Sequence, residues 1–385
     1  MMKGWNYGIL SDLIYFQRGF DITKAQQKEG RIPVVSSSGI SSYHNEYKQI
    51  GPGIVIGRKG TLGSVHFIKE NFWPHDTTLW SKEINGEPRF IYYLLKTLKL
   101  EQYDVGNANP TLNRNHIHKL KISYPNEATQ KKIGVILSSY DDLIENNLKR
   151  IKLLEEMAQI TYEEWFVRLR FPGHESTLIN PETDLPVGWE KPSLSQIGEY
   201  LNGYAFKPKD LGDEGMPIIK IKEIKGGVVN DTPRNTGETI PEKYLVETGQ
   251  ILFSWSASLE VVVWQYERGL LNQHLFKVTP KKGVSKAFLF LALKDALKVF
   301  DGLTTGATMK HIKRKELDFV RTAVPDNRVM QEFDVLVGAV IEEILNLSKQ
   351  NQRLREARDI LLPRLIAGVI DVEKYDPAQL LKEAA

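Results

Sequence analysis

Two segments of the chain repeat one spacing of apolar positions. From Ile133, apolar or interfacial residues fall at Leu137, Tyr140, Ile144, Asn147, Ile151, Leu154, Ala158, Thr161 and Trp165, alternately four and three apart. From Phe333 they fall at Val337, Val340, Ile344, Leu347, Asn351, Leu354, Arg358, Leu361 and Leu365, the same ladder moved by 200 positions. That alternation, sustained over four heptads, predicts two long helices, each with a seam that packs on another helix. Each begins shortly after a proline, Pro125 or Pro325, that closes a stretch rich in β-branched and aromatic residues.

Each ladder holds one asparagine, at a different rung. With the helices antiparallel and Asn147 facing Asn351, paired numbers sum to 498 and apolar residues meet along the rest of the seam. Ile133 meets Leu365, Leu137 meets Leu361, Ile144 meets Leu354, Ile151 meets Leu347, Leu154 meets Ile344 and Trp165 meets Phe333. The two side-chain amides then satisfy each other and penalise other registers. Tyr140 faces Arg358, which predicts a cation–π contact. The expectation is an antiparallel intramolecular coiled coil about 48 Å long.

Outside the ladders, short runs such as RIPVVSSSG, GIVIGRKG, MPIIKIKEIKGG and EVVVWQY, bounded by Gly, Pro and Asn, predict strands and turns. Periodic segments near Phe90–Leu100 and Lys286–Val299 predict helices packed on them. These parts also repeat. Gly4-Trp5 returns as Gly188-Trp189, Gly19 as Gly203, and Ile32–Val35 as Met216–Ile219, each 184 positions on; His75 returns as His274 and Pro125 as Pro325 at larger offsets. One duplicated unit with loop insertions in the second copy explains a growing offset. The fold class expected is α+β. Two tandem domains, related by a pseudo-two-fold axis, alternate with two long helices. The boundaries are domain 1 at 1–125, the first spacer helix at 126–169, a linker at 170–187, domain 2 at 188–325, the second spacer helix at 326–368 and a tail at 369–385.

Composition narrows the function classes. The chain has no cysteine, which excludes disulfides, thiolate zinc sites and cysteine nucleophiles. It has no long apolar run, and its N-terminus lacks the layout of a signal peptide, so a cytoplasmic location is expected. Lys+Arg outnumber Asp+Glu by 16 to 10 in residues 1–125 and by 20 to 18 in 176–325, whereas acids lead by 9 to 7 in 126–175 and by 11 to 8 in 326–385. Basic globular parts suit phosphate and acidic helices suit protein partners. The acidic face with Glu155, Glu156, Glu163 and Glu164 is the expected partner surface.

The order of domain, ATQKKIGVILSSYDDLIENNLKRIKLLEEMAQITYEEWFV, domain, QEFDVLVGAVIEEILNLSKQNQRLREARDILLPRLIAGVIDV resembles the specificity (S) subunit of type I restriction–modification systems. So do GNANPTLNRNHIHKLKISYP and TTGATMKHIKRKELDFVRTAVP, which close the two domains. The resemblance spans essentially the whole chain. It implies two target-recognition domains that each read half of a bipartite double-stranded DNA target, and a coil that sets the unread spacer. It further implies docking of two modification subunits, which methylate adenine N6 with S-adenosylmethionine, and of restriction subunits that use ATP and Mg²⁺. The S subunit is non-catalytic. A specificity subunit of a related fused restriction system, or a coiled-coil scaffold that binds no DNA, are the alternatives.

Reading DNA requires basic groups for phosphates, and amides, hydroxyls or arginines for base edges. In the first domain the candidates are Ser36, Ser37, Ser38, Tyr43, His44 and Asn45, then Arg58, Lys59 and Thr61, then Asn107, Asn109, Thr111, Asn113 and Arg114. In the second they are Lys220 and Lys222, then Ser254, Ser256 and Ser258, then Thr305, Thr308, Lys310, Lys313 and Arg314. His75 and His274 are expected to make matching structural hydrogen bonds. His116 and His118 form H-x-H without a third ligand, which argues against zinc. The NANPTL stretch lacks the second proline and aromatic of an amino-methyltransferase loop, and GIVIGRKG lacks P-loop spacing. Asp210 with Glu223 and Lys225 suggests a metal-nuclease core, but strand alternation across IIKIKEIK explains those residues.

Overall fold

The computed structural model describes residues 4–104, 110–303, 310–312 and 314–373, which form two compact units: residues 1–145 with 353–385, and residues 146–352. Each unit combines a globular domain with part of both long helices. No helix among the described residues is long and apolar enough to cross a membrane.

In the first unit a four-stranded antiparallel sheet runs in the order Ile14–Arg18, Thr78–Ile84, Gly53–Gly57, Val65–Ile68. Gly53–Gly57 is buried along its whole length, as an apolar run in an inner strand should be. A second sheet joins Gly39–His44, Ile32–Ser36 and Trp73–Pro74. The helix Pro88–Thr97 opens on a proline, which needs no N–H partner there, and buries Phe90, Ile91, Tyr93, Leu94 and Leu95. Strand Trp5–Ile9 pairs with Lys121–Pro125, Trp5 opposite Pro125, so the domain closes on itself just before the long helix begins.

The second unit repeats this plan: its sheet runs Gly198–Asn202, Leu275–Pro280, Ile251–Ser254, Glu260–Val263, with the helix Lys286–Leu303 against it. The glycine carried through both copies has a steric reason. A Cβ on Gly19 would lie 2.0 Å from the His75 carbonyl oxygen, and one on Gly203 would lie 2.1 Å from that of Asn272. Gly19 N donates to Thr78 O and Gly203 N to Leu275 O, both at 3.1 Å. The partner of His75 in the second copy is therefore Asn272. His274 corresponds to Thr77, which corrects the expected His75–His274 match. MPIIKIKEIKGG also departs from expectation: the strand stops at Ile219 and a short helix, Ile221–Gly226, follows. Glu223 is buried in that helix, accepting from Lys220 N at 3.0 Å and Thr232 Oγ1 at 3.3 Å, so its carboxylate closes a cap.

The first long helix spans Glu127–Tyr162 and continues as a wider π-type turn, Glu163–Val167; the second spans Asn327–Ile366. Asn126 accepts from Thr129 N at 2.9 Å and Asp326 from Val329 N at 3.0 Å, so an amide or carboxylate just after each proline caps each helix. The two run antiparallel in both units. In the first, Ile133, Ile136 and Leu137 share a core with Leu365 and Ile366. In the second, Ala158, Tyr162 and Phe166 share one with Phe333, Val337, Val340 and Ile341, and the Trp165 and Phe333 rings lie 5.6 Å apart.

Asn147 Nδ2 donates to Asn351 Oδ1 at 3.0 Å, both residues buried. The satisfaction is one-sided, because Asn351 Nδ2 is buried without a partner. Arg358 corrects another expectation. It bonds Asp141 and Asp359, and among the described residues no cation lies over the Tyr140 ring. Asp141 also accepts from the Tyr93 hydroxyl, so one carboxylate ties the domain helix to both long helices. Burial, with that carboxylate second, drives the Tyr93 hydroxyl far above its ordinary range.

Residues between the domains are packed rather than free: Phe171, Leu185 and Trp189 lie in the second unit's core. Val372 packs into the first unit's core. The acidic face is partly neutralised, since Glu163 pairs with Lys298 and Arg168, and Glu164 with Arg168 and Arg170. Beside it Leu153, Met157 and Ile160 stand 64%, 45% and 59% exposed, an apolar stripe spaced four and three.

Candidate nucleic-acid interface

In the first unit, backbone hydrogen bonds gather loops at one end of the four-stranded sheet. Strand Gly53–Gly57 runs into the turn that carries Arg58, Lys59 and Thr61. Arg58 N and Lys59 N both donate to Thr77 O, at 2.8 and 3.1 Å, and Leu112 N donates to Arg58 O at 3.0 Å. Ser64 Oγ donates to Ser37 O, and His66 Nε2 lies 3.1 Å from the same oxygen. Gly60 and Gly63, at φ +77° and +74°, supply the left-handed backbone this tight turn needs. The turns at Ser36–Ser38, Arg58–Thr61 and Thr77, and the segment at Thr111–Leu112, are thus fastened together, although up to 75 positions separate them.

Lys59, Thr61, Ser38, Tyr43, Asn45 and Arg114 are exposed; Ser36, Thr111, Asn113 and Arg58 are half-buried. Asn113 spends its side-chain oxygen capping the helix Arg114–His118. Ser37 and His44 are buried, and His44 Nδ1 accepts from Lys28 N at 3.0 Å while its ring stands edge-on to Trp73. These two are internal, which corrects their assignment as base or phosphate contacts. Asn107 and Asn109 lie outside the described residues.

Arg58 is the unusual member. Its Nε is buried without a hydrogen-bond partner, and among the described residues no carboxylate pairs with its guanidinium. Burial lowers its pKa first, the nearby Arg18 charge lowers it further, and Asp76 opposes them. Arg18 and Asp76 form their own ion pair at 2.9 Å. Neither was among the sequence candidates. The one available signal was that Arg18 precedes Gly19, the glycine held in both copies. Asp21, His75 and Asp76 form the one cluster of described residues with metal-ligand geometry, and Arg18 already engages its Asp76. His118 is no ligand either: burial and Arg114 lower its pKa, and Nε2 accepts from Phe16 N at 2.9 Å under the Tyr15 ring.

The second unit builds the same cluster from different side chains. Trp255 follows its inner strand as Arg58 does, and Ile312 N donates to Trp255 O at 2.9 Å, matching Leu112 to Arg58. Ser256–Ala257 pairs with Lys310–His311, which joins the two sequence-selected loops. Ser254 and Ser256 are buried, with Ser254 Oγ donating to Ser256 O at 3.3 Å, so their proposed role as DNA contacts is corrected too. Ser258 is half-buried and Arg314 exposed. Lys220 stands at the N-cap of the short helix Ile221–Gly226, its N–H donating to Glu223, and Lys222 on that helix is held by Asp231 at 2.7 Å. Thr305, Thr308 and Lys313 lie outside the described residues, as does the side chain of Lys310.

Comparison with known proteins agrees with this duplicated plan. The family model for the type I restriction modification DNA specificity domain matches twice, at residues 2–156 and 186–332. The MjaIX specificity subunit of a type I restriction enzyme from Methanocaldococcus jannaschii is 28% identical over 303 residues, covering 74% of this chain and 69% of that one. The HindI specificity subunit from Haemophilus influenzae is 23% identical over 355 residues, covering 74% and 77%. The crystal structure of the type I restriction–modification S subunit from M. genitalium superposes with a TM-score of 0.61 at 15% identity, covering 94% of this chain and 96% of that one. The chain belongs to the family of type I restriction modification DNA specificity subunits, with the specificity domain present in tandem.

Proposed function

We propose that each domain reads one half of a bipartite DNA duplex through its fastened loop cluster, while the paired long helices set the unread spacer. The observation that carries this reading is that one backbone scaffold occurs twice in the chain and presents Arg58 in one copy and Trp255 in the other. Duplication of the frame with divergence at the tip suits two heads that read different sequences. On this reading the exposed Lys59, Thr61 and Arg114 bind phosphate, which positions the protein without specifying sequence.

The chain is the non-catalytic member of its complex. Methyl transfer to adenine N6 with S-adenosylmethionine belongs to two modification subunits, and ATP- and Mg²⁺-dependent cleavage to restriction subunits. The stripe of Leu153, Met157 and Ile160 beside Glu155 and Glu156 supports helix docking from a modification subunit. The test is to co-express the chain with its modification subunit in an unmethylated host and map N6-methyladenine. A split motif with a fixed spacer, lost when this chain is omitted, is expected. Methylation independent of the chain would refute the proposal. Binding to a duplex carrying that motif should also weaken steeply with salt, in proportion to the phosphates contacted.

A further inference from the structure

We infer that Arg58 is the side chain with which the first domain selects a guanine in its half of the target. The inference rests on the DNA-reading function proposed above and deepens it to one residue and one base.

The scaffold singles out the position. Arg58 and Trp255 follow equivalent strands, and each offers its carbonyl to the amide of an equivalent residue, Leu112 or Ile312. The backbone is fixed by the fold in both copies and the side chain is not. Two domains that read different half-sites from one frame must differ at such places.

The state of the guanidinium says what it lacks. Its Nε is shielded from water without an acceptor, and the carboxylate beside it, Asp76, is engaged by Arg18. A buried donor left unmade is costly until an acceptor arrives. A duplex offers phosphate oxygens and base-edge acceptors, and among the bases guanine presents two side by side in the major groove, O6 and N7, which one guanidinium meets together. Lys59 and Thr61 stand exposed on the same turn for the phosphates, whereas Arg58 is half-buried with its Nε shielded from solvent. A half-buried guanidinium with an unmet donor therefore fits the paired acceptors of guanine better than a backbone contact.

The experiment selects from a randomised duplex pool with the full chain and its Arg58→Ala, Arg58→Gln and Lys59→Ala variants, each checked by thermal melting. The wild type should return a split motif. Arg58→Ala should return the same motif with one guanine made degenerate, a preference of about ten- to a hundredfold lost. Arg58→Gln, closer in size and a pairing partner for adenine, should lose that guanine and tolerate adenine there; it decides the matter if the alanine variant does not fold. Lys59→Ala should keep the motif and lower the salt slope by about one. A folded Arg58 variant that keeps every base preference overturns the inference alone, whether or not its salt slope falls. A wild-type chain that selects no motif overturns the proposed function and the inference together.

Discussion

The asparagine pair in the coil makes a quantitative prediction about what a half-satisfied polar contact costs. Asn147 Nδ2 and Asn351 Oδ1 share one hydrogen bond of 3.0 Å, and Asn351, 1% exposed, leaves its own Nδ2 without a partner. Asn147→Leu removes the bond and strands the whole Asn351 amide. One further buried unsatisfied group costs about 1–3 kcal/mol, offset in part by the added apolar burial, so a loss of about 1–2 kcal/mol is expected. Asn351→Leu removes the orphan donor and strands the better-exposed Asn147, so it should lie near the wild type. Replacing both removes every unmet group and completes the apolar seam, for a gain of about 1–3 kcal/mol. The order of stability is thus Asn147→Leu lowest, wild type and Asn351→Leu together, the double variant highest. Urea unfolding followed by far-UV circular dichroism reads it, with midpoints compared at matched slopes because a chain of two units need not unfold in one step. An Asn147→Leu variant as stable as wild type, or a double variant below both single ones, would refute the burial argument.

Two further predictions follow from the globular domains. Gly19→Ala and Gly203→Ala each drive a Cβ to about 2 Å from a backbone oxygen, so each should lower its own unit's melting temperature or prevent its folding; a variant that melts like wild type would show the clash is relieved without cost. His118 is held neutral, its pKa lowered by burial and then by Arg114. The unfolded chain therefore binds its proton first, and first-unit stability, complete above the ordinary histidine pKa of about 6.5, falls as pH drops below it. His118→Leu should remove that part of the slope while lowering stability throughout, since Phe16 N loses its acceptor.

The long helices were legible because a heptad is a local pattern, and the antiparallel register because two asparagines at different rungs meet in only one alignment. What the pattern could not supply was competition between partners. Arg358 faces Tyr140 on the ladder, yet Asp141 is one residue further along and offers a carboxylate, and a half-buried cation takes the stronger acceptor. Nor could it foretell the stranded Asn351 amide, which depends on rotamers rather than spacing.

In the domains, the repeated glycine was readable while its partner was not. Loop insertions shift the offset, and only the strand pairing assigns His75 to Asn272. The candidate site shows the same division. A basic turn such as Arg58-Lys59 can be picked from sequence, but polar character does not reveal burial: Ser37, His44, Ser254 and Ser256 hold loops together from within. Those internal residues have a functional consequence. A reading head must keep its tips at fixed places against a duplex while their side chains diverge, so the polar residues that fasten one loop to the next are separate from those that face solvent. Arg18 and Asp76 occupy the boundary between the two roles. Their ion pair occupies the carboxylate that would otherwise neutralise Arg58, and so leaves its guanidinium without an ion-pair partner, the condition that the proposed base contact requires.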